Sequence, residues 1–291
     1  MLVENRFDTG EVVLNYAEGL NNGPSAILLH GFTSNWTRFE SLFPELLSKL
    51  HIYGIDFRGH GKSGRTPNNY RFNDYYRDIK KFIQEKVAEP PIFITHSLGG
   101  AIAIMYAANH PNNTKALILL DPPMNFNYSM INYVNQRHDN WVTFKRIAGM
   151  DVDLESLAQE IGKIEMKTSE GRIPYSQVLS PSELVSWAEL LGADDPDIFT
   201  MRIQSLDNPE VFKEYSMGYD SDVLLPKLNC PVCLLRANPL LGGIIPDEEW
   251  VNVKSIVKNL DYVFFEAIGH TMHLTNPIPI QREITRFFSS L

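Results

Sequence analysis

Cysteine is scarce in this chain, with two residues in 291. That excludes a disulfide-built scaffold. The two form a Cys-x-x-Cys pair, Cys230 and Cys233, which is the spacing of a redox site. A redox pair opens a helix. Here Pro231-Val-Cys-Leu-Leu235 reads as a buried strand, on which positions three apart face opposite sides. Both thiols are therefore expected to be packing residues. Positive charge is also in deficit, with 26 Lys and Arg against 35 Asp and Glu and a net charge of −9. An acidic surface repels phosphate backbones, so nucleic acid is not an expected partner. Long hydrophobic runs are missing, and none approaches the length that spans a bilayer. The opening residues lack a basic start and a sustained apolar stretch, so a signal peptide is not expected and a cytoplasmic protein is. The sequons at Asn35, Asn112 and Asn127 are then expected to stay unmodified. No internal repeat or low-complexity segment stands out.

What is present is ordinary for a globular protein: 44 % hydrophobic and 21 % charged residues. The length exceeds one minimal core and falls short of two comfortable domains. One core carrying an insertion is the economical reading. Short, continuously apolar runs at 26–29, 52–55, 92–94, 116–120, 232–235 and 262–265 read as strands covered on both faces, as in a mainly parallel sheet. Residues 11–16 alternate and suit an antiparallel edge hairpin. Helices fall between the runs. Phe39, Leu42, Phe43, Leu46, Leu47 and Leu50 recur at helical spacing, with Pro44 marking a start within them. Asn73 is expected to cap a helix bearing Tyr76, Ile79, Phe82, Ile83 and Val87. Residues 98–109 and 280–288 read as further helices. The alternation predicts an α/β fold with a doubly wound, mainly parallel sheet and right-handed crossovers.

The alternation breaks after Leu120. Residues 122–219 show no convincing strand but carry helix signals. Ser180-Pro-Ser-Glu183 is a capping box, Leu184, Trp187, Leu190 and Leu191 form one apolar face, and Gly192 reads as a stop. Asp195-Pro196 reads as another helix start. The expected organisation is a core of residues 1–121 and 220–291, with a helical insertion over 122–219 capping one edge of the sheet.

Three motifs carry chemistry. In Ile92-Phe-Ile-Thr-His-Ser-Leu-Gly-Gly100 a strand runs into Ser97 and a helix starts after it, which is the setting of a nucleophile elbow. Gly99 and Gly100 supply the small neighbours that the turn needs on the helix side. Thr95 stands where glycine is usual on the strand side. Taken alone, the pattern also fits an ordinary junction with Ser97 as a helix cap. In Leu28-Leu-His-Gly-Phe-Thr33 a loop after an early strand can turn a backbone N–H toward the serine. Acyl transfer needs two such donors for its oxyanion, and Phe32 and Leu98 N–H are the expected pair. In Ile268-Gly-His-Thr-Met-His273 a histidine follows the last strand, on the same sheet edge as Ser97. Imidazole is the natural base at neutral pH, so His270 is the expected base and His273 a support of the loop. No accompanying Asp, Glu and Cys cluster suggests a metal.

In this order and position the motifs resemble the α/β-hydrolase superfamily over nearly the whole chain. Ile55-Asp-Phe-Arg-Gly-His-Gly-Lys-Ser-Gly64 resembles a structural turn of that superfamily, and residues 230–236 resemble its penultimate strand. The resemblance implies a Ser–His–acid triad and makes the helical insertion a lid. It places the acid just after the penultimate strand, in Arg236-Ala-Asn-Pro-Leu-Leu-Gly-Gly243, which contains no carboxylate. Asn238 occupies the usual position and can orient an imidazole without neutralising its charge. Asp121, at the end of the strand after the serine, is a position that some relatives use. Asp247 is a third choice, although Pro246-Asp-Glu-Glu249 reads as a helix start. Asp121 is favoured.

The resulting expectation is a serine esterase-like hydrolase that acts on a small, partly apolar molecule through an acyl-serine, without metal or organic cofactor. Tyr128, Met130, Tyr133, Trp141, Phe144 and Trp187 would pack the lid, some of them lining the pocket. The same residues suit C–C bond hydrolysis, lactone opening or acyl transfer. A serine at 97 argues against a haloalkane dehalogenase or an epoxide hydrolase, which resemble this fold but use aspartate as nucleophile. The rival expectation is a non-catalytic or weakly catalytic binder of small ligands on the same fold, favoured by the missing carboxylate near Asn238.

Overall fold

The apolar runs at 26–29, 52–55, 92–94, 116–120 and 232–235 become strands buried on both faces, whereas the run at 262–265, expected to be covered likewise, forms an edge strand with Tyr262 and Phe264 exposed. The computed structural model describes residues 2–124, 138–168 and 171–291. Its strands, in chain order, are β1 (Val3–Asp8), β2 (Val13–Glu18), β3 (Ser25–Leu29), β4 (His51–Ile55), β5 (Ile92–His96), β6 (Ala116–Leu120), β7 (Glu165–Thr168), β8 (Gly171–Pro174), β9 (Val232–Ala237) and β10 (Leu260–Phe265). Eight of them form one sheet in the order β1-β2-β4-β3-β5-β6-β9-β10. The β1–β2 and β2–β4 pairs are antiparallel and the others parallel. Along β6, Leu117 and Leu119 join one buried cluster while Ile118 and Leu120 join the other, which is the two-residue period of a strand.

The longer helices are α1 (Phe72–Lys86), α2 (Leu98–Asn109), α3 (His138–Ala148), α4 (Leu154–Gly162), α5 (Pro181–Ala193), α6 (Ile198–Asp207), α7 (Pro209–Tyr215), α8 (Asp247–Ile256) and α9 (Pro277–Phe288). On one face Ile79 and Phe82 of α1 and Ile102 of α2 pack with Ile27, Phe93 and Leu234 of the sheet. On the other, Ile280, Ile284 and Phe287 of α9 pack with Phe39, Ile94 and Leu235. Trp141, Phe144, Leu191 and Phe199, from the helices between β6 and β9, are continuous with the first cluster. Among the described residues no helix is long and apolar enough to cross a membrane.

Several local expectations need correction. Residues 122–219 do contain strands, since β7 and β8 form an antiparallel hairpin. Each has only four residues and no apolar run, so nothing in the sequence marks it. The Phe39–Leu50 periodicity is split into a 3-10 helix, Trp36–Leu42, and one α turn, Phe43–Leu46. Pro44 lacks the N–H that a continuous helix would use. Helix α1 starts at Phe72, before Asn73, because the Asp74 carboxylate accepts the Arg71 N–H at 2.9 Å. The Ser180–Glu183 capping box opens α5 as expected. Gly192 lies inside that helix, where an added Cβ would meet the Leu157 side chain at 2.9 Å, so it permits close helix packing.

Register carries the fold into the site. Leu29 pairs with Thr95, His96 with Leu120, and Leu120 with Leu235. The parallel strands therefore end together, and the residues after β3, β5, β6, β9 and β10 emerge along one edge.

Candidate active site

Ser97 occupies the turn between β5 and α2 with φ 50° and ψ −118°. This is a strained conformation for a residue with a side chain, and it persists only where the surroundings fix it. Here Ser97 N–H donates to the Leu120 carbonyl at 3.1 Å, and Gly99 N–H to that of His30 at 3.1 Å. A Cβ on Gly99 would lie 2.1 Å from the Leu29 oxygen, and one on Gly100 2.6 Å from the Pro122 Cβ. Thr95 would make only ordinary contact with that added Gly100 Cβ. Thr95 Oγ1 would stand 3.5 Å from it and reaches the Ile118 carbonyl at 3.4 Å.

Asp121 follows β6 with φ 44° and is fully buried. Its Oδ1 accepts the Ala237 N–H at 3.2 Å. Its Oδ2 accepts the Ile244 N–H at 2.9 Å and the His270 Nδ1–H at 2.7 Å. Donation from Nδ1 leaves the lone pair of His270 on Nε2. Among the described residues no hydrogen bond joins that ring to the Ser97 hydroxyl.

His96, next to Ser97, donates from Nε2 to the His270 carbonyl at 3.0 Å. Its ring lies 4.5 Å from that of His270 and 4.6 Å from that of His273. Burial, aided by these two imidazoles, holds His96 well below its ordinary value, so it is neutral. His273 stacks on Phe39, and its carbonyl accepts the Ser41 hydroxyl at 2.7 Å. Burial pushes it down to about 3.

The loop after β3 lies against the serine. A Cβ on Gly31 would sit 3.2 Å from the Ser97 Cβ and 2.7 Å from His96 Nδ1. His30 locks this loop. Its Nε2 accepts the Phe57 N–H at 3.0 Å, so its Nδ1 carries the proton and donates to the Gly31 carbonyl at 2.6 Å. Burial, with nearby His60 adding to it, keeps His30 neutral. Leu98 is the first residue of α2, so its N–H has no acceptor within the helix. The Phe32 ring turns the other way, onto Trp141 at 5.5 Å and Phe199 at 5.4 Å.

The structure brings Asp121, and not Asn238, to His270. Asn238 Oδ1 accepts the Leu240 N–H at 2.9 Å, and its Nδ2 donates to the Glu266 carbonyl at 2.5 Å. Asp247 opens α8 and pairs with Arg236 at 2.5 Å. The turn at 55–64 is structural. Asp56 accepts the N–H groups of Trp36 and Lys62, and Arg58 makes two 2.7 Å bonds to Asp78. Cys230 and Cys233 are free, buried and on opposite faces of the sheet, and burial pushes their thiols up to about 11 and about 12. Trp141 packs on Phe144, and Phe144 on Trp187. Tyr128, Met130 and Tyr133 lie outside the described residues. Sequence reasoning missed the anchoring by His96 and His30. Their place beside Ser97 and Gly31 in the two motifs was the available signal.

The chain belongs to the α/β-hydrolase fold family, whose model matches residues 24–277. It is 33 % identical over 119 residues to 2-(acetamidomethylene)succinate hydrolase of Mesorhizobium japonicum, covering 41 % of this chain and 42 % of that protein. It is 32 % identical over 105 residues to a serine hydrolase-like protein of Danio rerio, covering 35 % of this chain and 32 % of that one. The chain thus spans less than half the length of these curated relatives. Its fold is shared with an esterase from Exiguobacterium antarcticum, with a TM-score of 0.69, 20 % identity and 95 % of each chain covered.

Proposed function

We propose that this protein is a serine hydrolase that cleaves a carboxylic ester, or a related acyl bond, of a small and partly apolar substrate. Ser97 Oγ attacks the carbonyl carbon while His270 Nε2 takes its proton. The N–H groups of Phe32 and Leu98 hold the oxyanion. The bond to the leaving alcohol breaks, and the alcohol takes the proton from His270. Water, activated by the same ring, then releases the acid and frees Ser97. Asp121 orients the imidazole and balances its charge. Residues 122–219 form the cap that shields the site.

The observation that carries this reading is the 2.7 Å bond from His270 to a fully buried carboxylate, on the sheet edge that holds the strained Ser97. Asp121 supplies the acid whose absence near Asn238 favoured a non-catalytic binder. Catalytic hydrogen bonds are often loose before substrate arrives, and the Ser97–His270 contact belongs to the loaded site. The protein and its Ser97→Ala variant should be incubated with short-chain p-nitrophenyl esters and an organophosphonate probe. Turnover and labelling are expected in the first and in neither case in the second. A folded wild type that does neither would sink the proposal.

A further inference from the structure

Arg202, on α6, is buried, with 7 % of its surface exposed. Its guanidinium carbon lies 4.6 Å from the centre of the Phe32 ring and 4.4 Å from that of Trp141. Phe32 belongs to the loop that touches Ser97, so this cation packs on the side chain of a residue whose N–H is proposed to hold the oxyanion.

The other buried arginines have acids to balance them. Arg58 grips Asp78 through two 2.7 Å bonds, and Arg236 meets Asp247. Among the described residues no Asp or Glu pairs with Arg202. Its titratable neighbour is Tyr215, which hydrogen-bonds with it but, as a neutral phenol, does not balance its charge. Ring faces recover only part of the cost of burying a cation. Hydrogen bonding is incomplete as well. Among the described residues Arg202 Nε and Trp141 Nε1 are both buried without a partner. Arginine and indole N–H groups donate and never accept. A group that completes these two donors accepts hydrogen bonds, and one that also balances the cation is an anion.

We propose that Arg202, assisted by Trp141, binds a free carboxylate of the substrate, so that the substrates are half-esters or related acyl compounds that keep a second, ionised acid group. Planar carboxylate is the natural partner of a guanidinium fork. The proposal deepens the serine-hydrolase reading and rests on it for the reacting bond.

The test sets monoethyl glutarate against ethyl pentanoate, which carries a methyl group in place of the carboxylate. Wild type is expected to favour the half-ester in kcat/KM by at least about tenfold. In Arg202→Met that ratio is expected to collapse to about one, and in Arg202→Lys, which keeps the charge but loses the fork, to fall between. A wild-type ratio near one, or a ratio that survives in Arg202→Met, overturns the proposal. A binding arm separates it from the chemistry. Glutarate is expected to raise the melting temperature of Ser97→Ala, and inorganic phosphate at the same concentration is not. No shift with glutarate, or equal shifts with both anions, also overturns the proposal, whether or not the Arg202 variants fold. A glutarate shift in a protein that neither hydrolyses esters nor takes the organophosphonate would strike the hydrolase reading and leave the carboxylate site standing.

Discussion

Asp121 and Asp194 are both fully buried, the first beneath His270 at the end of β6, the second at the C-terminus of α5, where the chain meets the turn at Gly59. Asp121 accepts three hydrogen bonds, from Ala237, Ile244 and His270. Both oxygens of Asp194 lack a partner among the described residues. Its nearest help is Arg65, which donates to its backbone carbonyl at 3.4 Å rather than to its side chain. Burial therefore pushes the Asp194 carboxyl well above the usual carboxylate range, and it is held as a neutral acid. Burial alone does not decide what an acid can do. The donors aimed at it do, and the fold aims them at the carboxylate that meets a histidine.

The largest effect should come from disturbing the satisfied acid. Asp121→Asn keeps the shape but turns an NH2 group toward N–H donors. The imidazole then loses either its tautomer or its countercharge. Turnover of p-nitrophenyl esters is expected to fall by roughly 10⁴-fold, the scale of the same change in other triads. A fall smaller than about tenfold in a folded variant would remove Asp121 from the mechanism.

Asp194→Asn should act in the opposite sense, on stability. Below pH 3.8 the acid is protonated in both the folded and the unfolded chain. As pH rises past 3.8 the unfolded chain ionises while the folded one keeps its proton, so folding stability is lost with rising pH up to the folded value. Asparagine has no such slope. The variant is expected to be more stable at pH 7, by about 1–2 kcal/mol, and to gain little at pH 4. Urea midpoints at the two pH values give the difference directly. Asp56 and Asp78 are also raised by burial, but they are common to both proteins and cancel. An equal pH slope in the two proteins would mean that Asp194 already has a partner.

The two acids also mark how far the sequence can be read. The central strands were legible because burial on both faces writes an unbroken apolar run, as at 116–120. The edge strand β1 was not, because Phe7 is its one buried side chain. Ser97 and His270 stand in local motifs, whereas Asp121 was favoured over Asn238 and Asp247 only because some relatives of the family use that position. The reason it can serve was hidden, since its donors come from 116, 123 and 149 residues further along the chain. Arg202 was hidden for a related reason. A charged residue on a helix reads as a solvent face until tertiary packing lays it over two rings.

Asn238 gives the smallest effect and the sharpest contrast with Asp121. It occupies the position where the family usually carries its acid, yet each of its polar atoms is already engaged. Its Oδ1 accepts the Leu240 N–H, its Nδ2 donates to the Glu266 carbonyl, and its N–H donates to the Ile268 carbonyl. Asn238→Asp keeps the first bond and sets two oxygens facing each other in place of the second. The expected cost is about 1 kcal/mol of stability with no gain in turnover. The decisive version places the change in the Asp121→Asn background. If the loop at 238 can swing a carboxylate to His270, the double variant recovers activity. If Asn238 is only the cap of its own turn, the double variant stays as slow as Asp121→Asn and melts slightly earlier, and this second outcome is the one the hydrogen bonds require.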